Sequence, residues 1–396
     1  MRRFSYKHLT FIIILAIFAA IAGCGGGQVS DKGAGTIMHI EDWKHQYPDQ
    51  YNSFMRSVRN AVIKPDVKYH SHALMRQSVE TFAKMPIYSD EVPFGISCLQ
   101  CKSPDWNTLY AQYGDEARQL NYLDMRDQVV DFWGCYSCHE NDPEGTVTFA
   151  NIAPNIVSKE LLSKLNPNEA VCGQCHNGTA EYLYNIGNRP GNTDLTKFNP
   201  YRYGYDAEAL LKAIREDHVV KPVDADGVEA YRATHVCIEI FQDSNHQKQG
   251  LTCVSCHMPK ETNEAGETFT SHDASASPLG NEVALQYCLT CHKDKGIEST
   301  EAMVEFVRGK QAELAAVVLE AQAAIEELHG LIVAGTDDAN ADAQARELYI
   351  KAYWYKTFAD GVAPTPGVKA AMNFEGLMNY YQQAKAFADE GIALYK

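Results

Sequence analysis

Five Cys-x-x-Cys pairs run through this chain, and the residue after each second cysteine constrains what it can fold around. Four pairs end in histidine: Cys135–His139, Cys172–His176, Cys253–His257 and Cys288–His292. The first, Cys98-Leu99-Gln100-Cys101, ends in Lys102. Cys-x-x-Cys-His is the attachment signature of c-type haem. Two thiols at this spacing add to the two vinyl groups of one porphyrin, and the next residue lies beneath the iron as proximal ligand. Cys98, Cys101, Cys135, Cys138, Cys172, Cys175, Cys253, Cys256, Cys288 and Cys291 are thus the expected thioether sites of five covalently bound haem c groups. Lys102, His139, His176, His257 and His292 are the expected proximal ligands. The lone lysine marks the odd haem, and that is where substrate is expected to bind.

The remaining cysteines are Cys24 and Cys237. A disulfide scaffold does not require the fixed spacing or the trailing ligand. Zinc ribbons use Cys-x-x-Cys pairs but need no histidine immediately after them. At 396 residues the chain has room for one large domain or two ordinary ones. Its net charge of −16 excludes a nucleic-acid partner, and it means that an anionic substrate needs a local basic pocket.

The N-terminus reads as an export signal, with Arg2, Arg3 and Lys7 ahead of the apolar run Phe11 to Ile21. That run is too short to be read as a spanning helix. Ile21-Ala22-Gly23-Cys24 resembles a bacterial lipobox, which makes residues 1–23 a signal peptide and Cys24 the lipidated residue. Residues 24–41 form a Gly-rich tether. The expected location is the periplasmic or extracytoplasmic face of a membrane, held there by the lipid.

Residues 42–297 form the haem-bearing body, rich in Pro, Gly, Asn and Asp, with short helical runs. Residues 298–396 are different in character but belong to one continuous domain with it. Leu314, Val318, Ala321, Ile325, Leu328 and Ile332 recur in steps of four and three, on one helix face. Ser299 or Thr300 can start this helix and Gly335 can end it. Further helices are expected over 343–358 and 375–394. The stripe reads either as intramolecular core or as the face of a homodimer. The expected fold class is mainly α: a multihaem cytochrome c with a haem-packed body and long C-terminal helices.

Carrier haems need a second axial ligand. Outside the motifs the candidates are His70, His72, His218, His235, His246, His272 and His329, and axial identity is a main lever on haem potential.

With its lysine-ended first motif followed by four histidine-ended ones, the chain resembles the pentahaem, ammonia-forming cytochrome c nitrite reductases. Cys172-Gly173-Gln174-Cys175-His176 and Cys256-His257-Met258-Pro259-Lys260 add to the likeness. The resemblance implies Lys102 as proximal ligand of the catalytic haem, with Tyr182 and His235 as active-site residues. It implies distal ligands at His272 for the second haem, His72 for the third and His246 for the fifth.

Three departures stand out. The family's active-site arginine is absent, and the corresponding stretch reads Glu80-Thr81-Phe82-Ala83-Lys84, so that Lys84 or Arg76 would have to take its place. A guanidinium grips an oxyanion in a way that an ammonium does not reproduce. The calcium segment reads Arg232-Ala233-Thr234-His235, which leaves Glu181 and Tyr182 as the calcium residues beside a shorter Thr234. Met372 stands where the fourth haem's distal histidine is expected, and methionine ligation raises a haem's potential.

The reading is then a lipid-anchored reductase of nitrite to ammonium, fed by a membrane quinol-oxidising multihaem cytochrome. The alternatives are an electron-transfer lipoprotein on the same fold, or a reductase of hydroxylamine, sulfite or another small oxidised substrate.

Overall fold

The computed structural model describes residues 37–56, 58, 72–86, 94–139, 141–142, 166–178, 204–216, 223–233, 235–361 and 365–396. Cys24, His70, Glu181, Tyr182, His218, Thr234 and the N-terminal leader lie outside them, as does the side chain of Cys98.

Through the motif-bearing region the helices are short. They include α1 (Ile40–Trp43), α2 (Pro48–Phe54), α3 (Met75–Phe82), α4 (Asp105–Tyr113), α5 (Tyr136–His139), α6 (Pro167–Gly173) and α7 (Ala207–Glu216). There follow α8 (Cys237–Phe241), α9 (Asn245–Lys248), α10 (Cys253–His257) and α11 (Glu282–His292). Two antiparallel hairpins interrupt them. β1 (Val223–Ala225) pairs with β2 (Val228–Ala230), and β3 (Lys260–Thr262) with β4 (Thr268–Thr270). A small core of Val79, Phe94, Ile96, Leu99, Trp106 and Leu109 surrounds the first motif. Arg56 clamps Glu261 in β3 with two N–O contacts of 3.0 and 2.7 Å, tying the N-terminal segment to the fourth-motif region.

The C-terminal third is three helices: α12 (Thr300–Ala334), α13 (Ala339–Asp360) and α14 (Phe374–Ala393). At 1.5 Å per residue α12 is about 50 Å long. Ser299 caps it by accepting a hydrogen bond from the Ala302 N–H at 3.2 Å. The α13 helix begins a turn earlier than its apolar pattern suggests, because the Asp338 carboxylate accepts from the N–H groups of Asn340 and Ala341 at 2.9 and 3.1 Å. Asn373 caps α14 through Gly376 N–H at 3.1 Å.

The stripe from Leu314 to Ile332 is buried against α13 and α14 of the same chain, so it is intramolecular core and not a dimer face. Each large aliphatic side chain in it contributes about 1.5–3 kcal/mol on burial. The same core takes in Leu210, Ile214, Val236 and Ile240 from α7 and the α8 region. It therefore runs without a break from the motif-bearing part into the long helices. Asn373 donates to Ile240 O at 2.9 Å, and Ala233 N–H donates to Thr357 Oγ1 at 3.1 Å, across the same join. No described helix is long and apolar enough to cross a membrane.

Candidate functional site

Each motif sits on a helical turn, which is what its chemistry needs. Residues three apart in a helix share a face, and the residue after them lies one turn above the first. The His139 N–H donates to Cys135 O at 3.0 Å and the His176 N–H to Cys172 O at 2.8 Å. In the first motif the turn is a tighter 3-10 helix, Ile96–Cys101, seated on buried Ile96 and Leu99. Lys102 leaves that turn half-buried, its N–H donating to Leu99 O at 2.8 Å. Trp133 Nε1 donates to Cys101 O and holds the motif against the second one.

The thiols of different motifs lie close enough to shift one another's ionisation. Cys101 is brought down to about 7, chiefly by hydrogen bonding with Cys175. Cys253 is raised by Cys172. Cys256 is pushed up to about 11, by burial first and then by Cys288 and Cys253. The first motif thus abuts the third, the third the fourth, and the fourth the fifth. None of the described cysteines, from Cys101 to Cys291, forms a disulfide.

Histidine rings meet at short range, and His176 has two such neighbours, His72 and, at 6.4 Å, His235. His139 and His272 have ring centroids 6.1 Å apart, His246 and His292 6.3 Å, and His72 and His176 6.2 Å. A metal–nitrogen bond of about 2 Å on each side, plus about 1 Å from nitrogen to ring centre, gives two trans imidazoles about this separation. Two further details agree. His272 Nδ1 donates to Thr270 O at 2.8 Å and His257 Nδ1 to Ala274 O at 3.1 Å, which leaves each Nε2 lone pair bare for a metal. The Nδ1 atoms of His139 and His292 are buried with no hydrogen-bond partner in the structure. The residues present fit axial ligation of haem iron. Met372 is half-buried against the C-terminal core, between Lys369 and the α14 cap.

His235 occupies a left-handed backbone conformation, φ 56°, which a non-glycine residue adopts only under constraint from its surroundings. Its pKa falls to about 4, by burial first and then by the charges of His176, Lys102, Lys369 and Arg232. Of these, Lys102 and His176 are expected proximal ligands, which leaves Lys369 and Arg232 as the positive charges from outside the motifs. Two residues on, burial raises Cys237, but Lys369 and His176 outweigh it and bring the thiol to about 7.

The two cations expected in place of the family's arginine are engaged elsewhere. Lys84 is at the surface, 3.7 Å from Glu80. Arg76 stacks its guanidinium 4.6 Å from the Phe132 ring centre and donates to Val130 O. The residue that sequence reasoning passed over is Lys369, on the 3-10 turn Val368–Ala371. No motif marks it, and only the packing of that turn onto α12 brings it to His235. Glu239 was passed over as well. It is 4% exposed, accepts from Gly178 N–H at 2.6 Å, and is pushed up to about 8 chiefly by burial.

A family model described as cytochrome c552 matches residues 66–364. The chain belongs to that family, that of the cytochrome c nitrite reductases. Among solved structures it is similar to the cytochrome c nitrite reductase of Desulfovibrio desulfuricans, described with two calcium sites in its catalytic subunit. The TM-score is 0.67 at 18% identity, over 90% of this chain and 86% of that one. At that identity the likeness is one of fold: mainly α, a multihaem cytochrome with long C-terminal helices. Family membership makes the chain a c-type multihaem oxidoreductase of the nitrite-reductase type, with a small oxidised substrate and a redox partner. The family works outside the cytoplasm.

Proposed function

We propose that this chain reduces nitrite to ammonium, six electrons at a time, at the haem of the Cys98–Lys102 motif. The observation that carries the reading is the position of His235, half-buried and in a left-handed backbone conformation, close enough to Lys102 for its ionisation to be affected. It puts a histidine beside the one motif whose ligand differs from the rest.

The haems, once attached, supply the metal site and store the electrons; the protein positions substrate and supplies protons. At neutral pH His235, with its pKa near 4, is a neutral imidazole able to accept and return a proton beside the substrate. Tyr182 is assigned a proton-donor role with it. The contiguity of the fifth, fourth, third and first motifs supports electron passage along that order. Five haems, distal ligands at His72, His246, His272 and Met372, and calcium at Glu181 and Tyr182 belong to the same reading. So do lipid attachment at Cys24, a homodimer and a quinol-oxidising donor cytochrome.

The test is ammonium yield from nitrite by haem-loaded protein with a strong one-electron donor, beside Lys102→His. Near-stoichiometric ammonium that the variant loses is expected. A second reading, electron transfer without nitrite chemistry, draws on the surface position of Lys84 and the engagement of Arg76. Rapid haem reduction with no nitrite consumed would select it, and hydroxylamine and sulfite would be tried next.

A further inference from the structure

Trp133 touches three of the motifs at once. It stands two residues before Cys135 and is 8% exposed. Its Nε1 donates to Cys101 O in the first motif. The Cys175 sulfur lies 4.0 Å from that same oxygen, so the first and third motifs meet at this point. The indole ring stacks on His72, with centroids 4.3 Å apart and planes inclined by 19°. His72 in turn faces His176 of the third motif at 6.2 Å.

The main chain that carries Trp133 is fixed by groups other than the indole. The buried Asp105 carboxylate accepts from the Val130 and Asp131 N–H groups at 2.6 and 2.7 Å. Ser103 Oγ donates to Asp131 O at 2.5 Å. Both anchors come just after Lys102, so the segment entering the second motif is fastened to the exit of the first. The ring is therefore held out from a rigid support.

His72 is oriented differently from the other expected ligands. The rings of His257 and His272 are set by Nδ1 hydrogen bonds to carbonyl oxygens. His72 is anchored through its main chain, whose N–H donates to Ser275 Oγ at 3.2 Å. Its ring makes no hydrogen bond among the described residues, and the stack on Trp133 takes that place. Stacked rings resist tilting against each other. Groups behind a metal ligand fix its orientation and tune the metal, and axial ligation is a main lever on haem potential.

We propose that Trp133 is the positioning residue for His72, fixing the ring plane of the third haem's distal ligand and tying it to the main chain of the first motif. The inference rests on the ligand set of the reductase reading, in which His72 serves the third haem. It bears on the electron step into the substrate haem, because that step crosses the join at Cys101 O.

The experiment is electron paramagnetic resonance of the oxidised, haem-loaded protein, with haem content measured on every sample. Wild type is compared with His72→Ala, Trp133→Phe, Trp133→Leu and Trp133→Met. His72→Ala should turn one low-spin haem per chain high-spin, and the signal lost identifies the third haem. Leucine and methionine fill much of the indole's space without a ring to stack. Both variants should broaden that one signal and shift its largest g value, with wild-type haem content and the other low-spin signals unchanged. Trp133→Phe keeps a ring but no N–H, and should leave the signal close to wild type. An unchanged signal in Trp133→Leu and Trp133→Met would overturn the inference. So would the same disturbance in Trp133→Phe, which would credit the N–H bond and not the stack. Loss of haem, or disturbance of every signal, in both non-aromatic variants would mark a structural role and overturn it too. If His72→Ala lost no low-spin haem, the ligand assignment and the inference would fall together. Absence of nitrite turnover in wild type would sink the reductase reading alone, because the spectra still judge Trp133.

Discussion

Gly367 lies on the main chain of Gln311 so closely that a β-carbon at position 367 would overlap the Gln311 carbonyl and crowd the Ala315 N–H. The contact is backbone against backbone, so neither side has a flexible end to move. Gly367 also has φ 77°, where L side chains are strained by about 1–2 kcal/mol. With an overpacking cost of about 1–3 kcal/mol, Gly367→Ala should lower stability by about 2–5 kcal/mol in denaturant unfolding of the haem-loaded protein. A variant with unchanged unfolding midpoint would show that the turn is not held in this way.

The pairing of His139 with His272 at 6.1 Å makes a spectroscopic prediction. If both bind one iron, His272→Ala should convert one low-spin haem per chain to high spin, read by electron paramagnetic resonance. His246→Ala should do the same through His292. The high-spin signal already expected from the Lys102 haem should persist in both variants. A spectrum unchanged by His272→Ala would remove that residue from the ligand set.

Much of the C-terminal third was legible in the sequence, because a long amphipathic helix writes its burial pattern at a fixed period. Leu314, Val318, Leu328 and Ile332 show it, and Ser299 and Gly335 bracket the helix where capping chemistry places its ends. The choice between core and dimer face was not legible, since both bury the same stripe. The motif cysteines and their trailing ligands were equally plain, because covalent attachment requires that spacing. What faces them was not, because His272 and His139 meet only through the hairpin β3–β4 and its return past Ser53, whose hydroxyl accepts from His272 N–H at 2.9 Å. Lys369 had no signature at all. Its place depends on two glycines whose roles lie in what a side chain there would strike.

Glu239 carries a pH prediction. Burial holds its carboxyl up at about 8 in the folded chain against an ordinary value of 4.5. Between those values the unfolded chain has released the proton that the folded chain retains, so stability falls as pH rises through this window. In Glu239→Gln that loss disappears, while the amide oxygen can still accept from Gly178 N–H. The variant should match wild type near pH 4.5 and exceed it by a few kcal/mol, in order of magnitude, at pH 8. Denaturant midpoints at the two pH values decide it. A variant less stable than wild type at pH 8 would mean that the ionised carboxylate has a partner in the folded protein.

The Arg56–Glu261 clamp should show the opposite pH sign. Hydrogen bonding from Arg56 lowers the Glu261 carboxyl below its ordinary range, against the opposing effect of burial. Asp273, 4% exposed on its side chain, lies 4.0 Å from the same guanidinium. Arg56→Met leaves these carboxylates without their shared cation. Because the Arg56 side chain is 35% exposed, solvent screens the pair, and the cost at neutral pH should be about 1–2 kcal/mol, below that of a fully buried pair. A lowered carboxyl contributes stability above its unfolded pKa and loses it as pH falls through the folded value. The difference between wild type and Arg56→Met should therefore be largest near pH 7 and shrink in acid. A deficit that stayed constant down to pH 3 would assign the loss to packing of the arginine stem instead of to its charge.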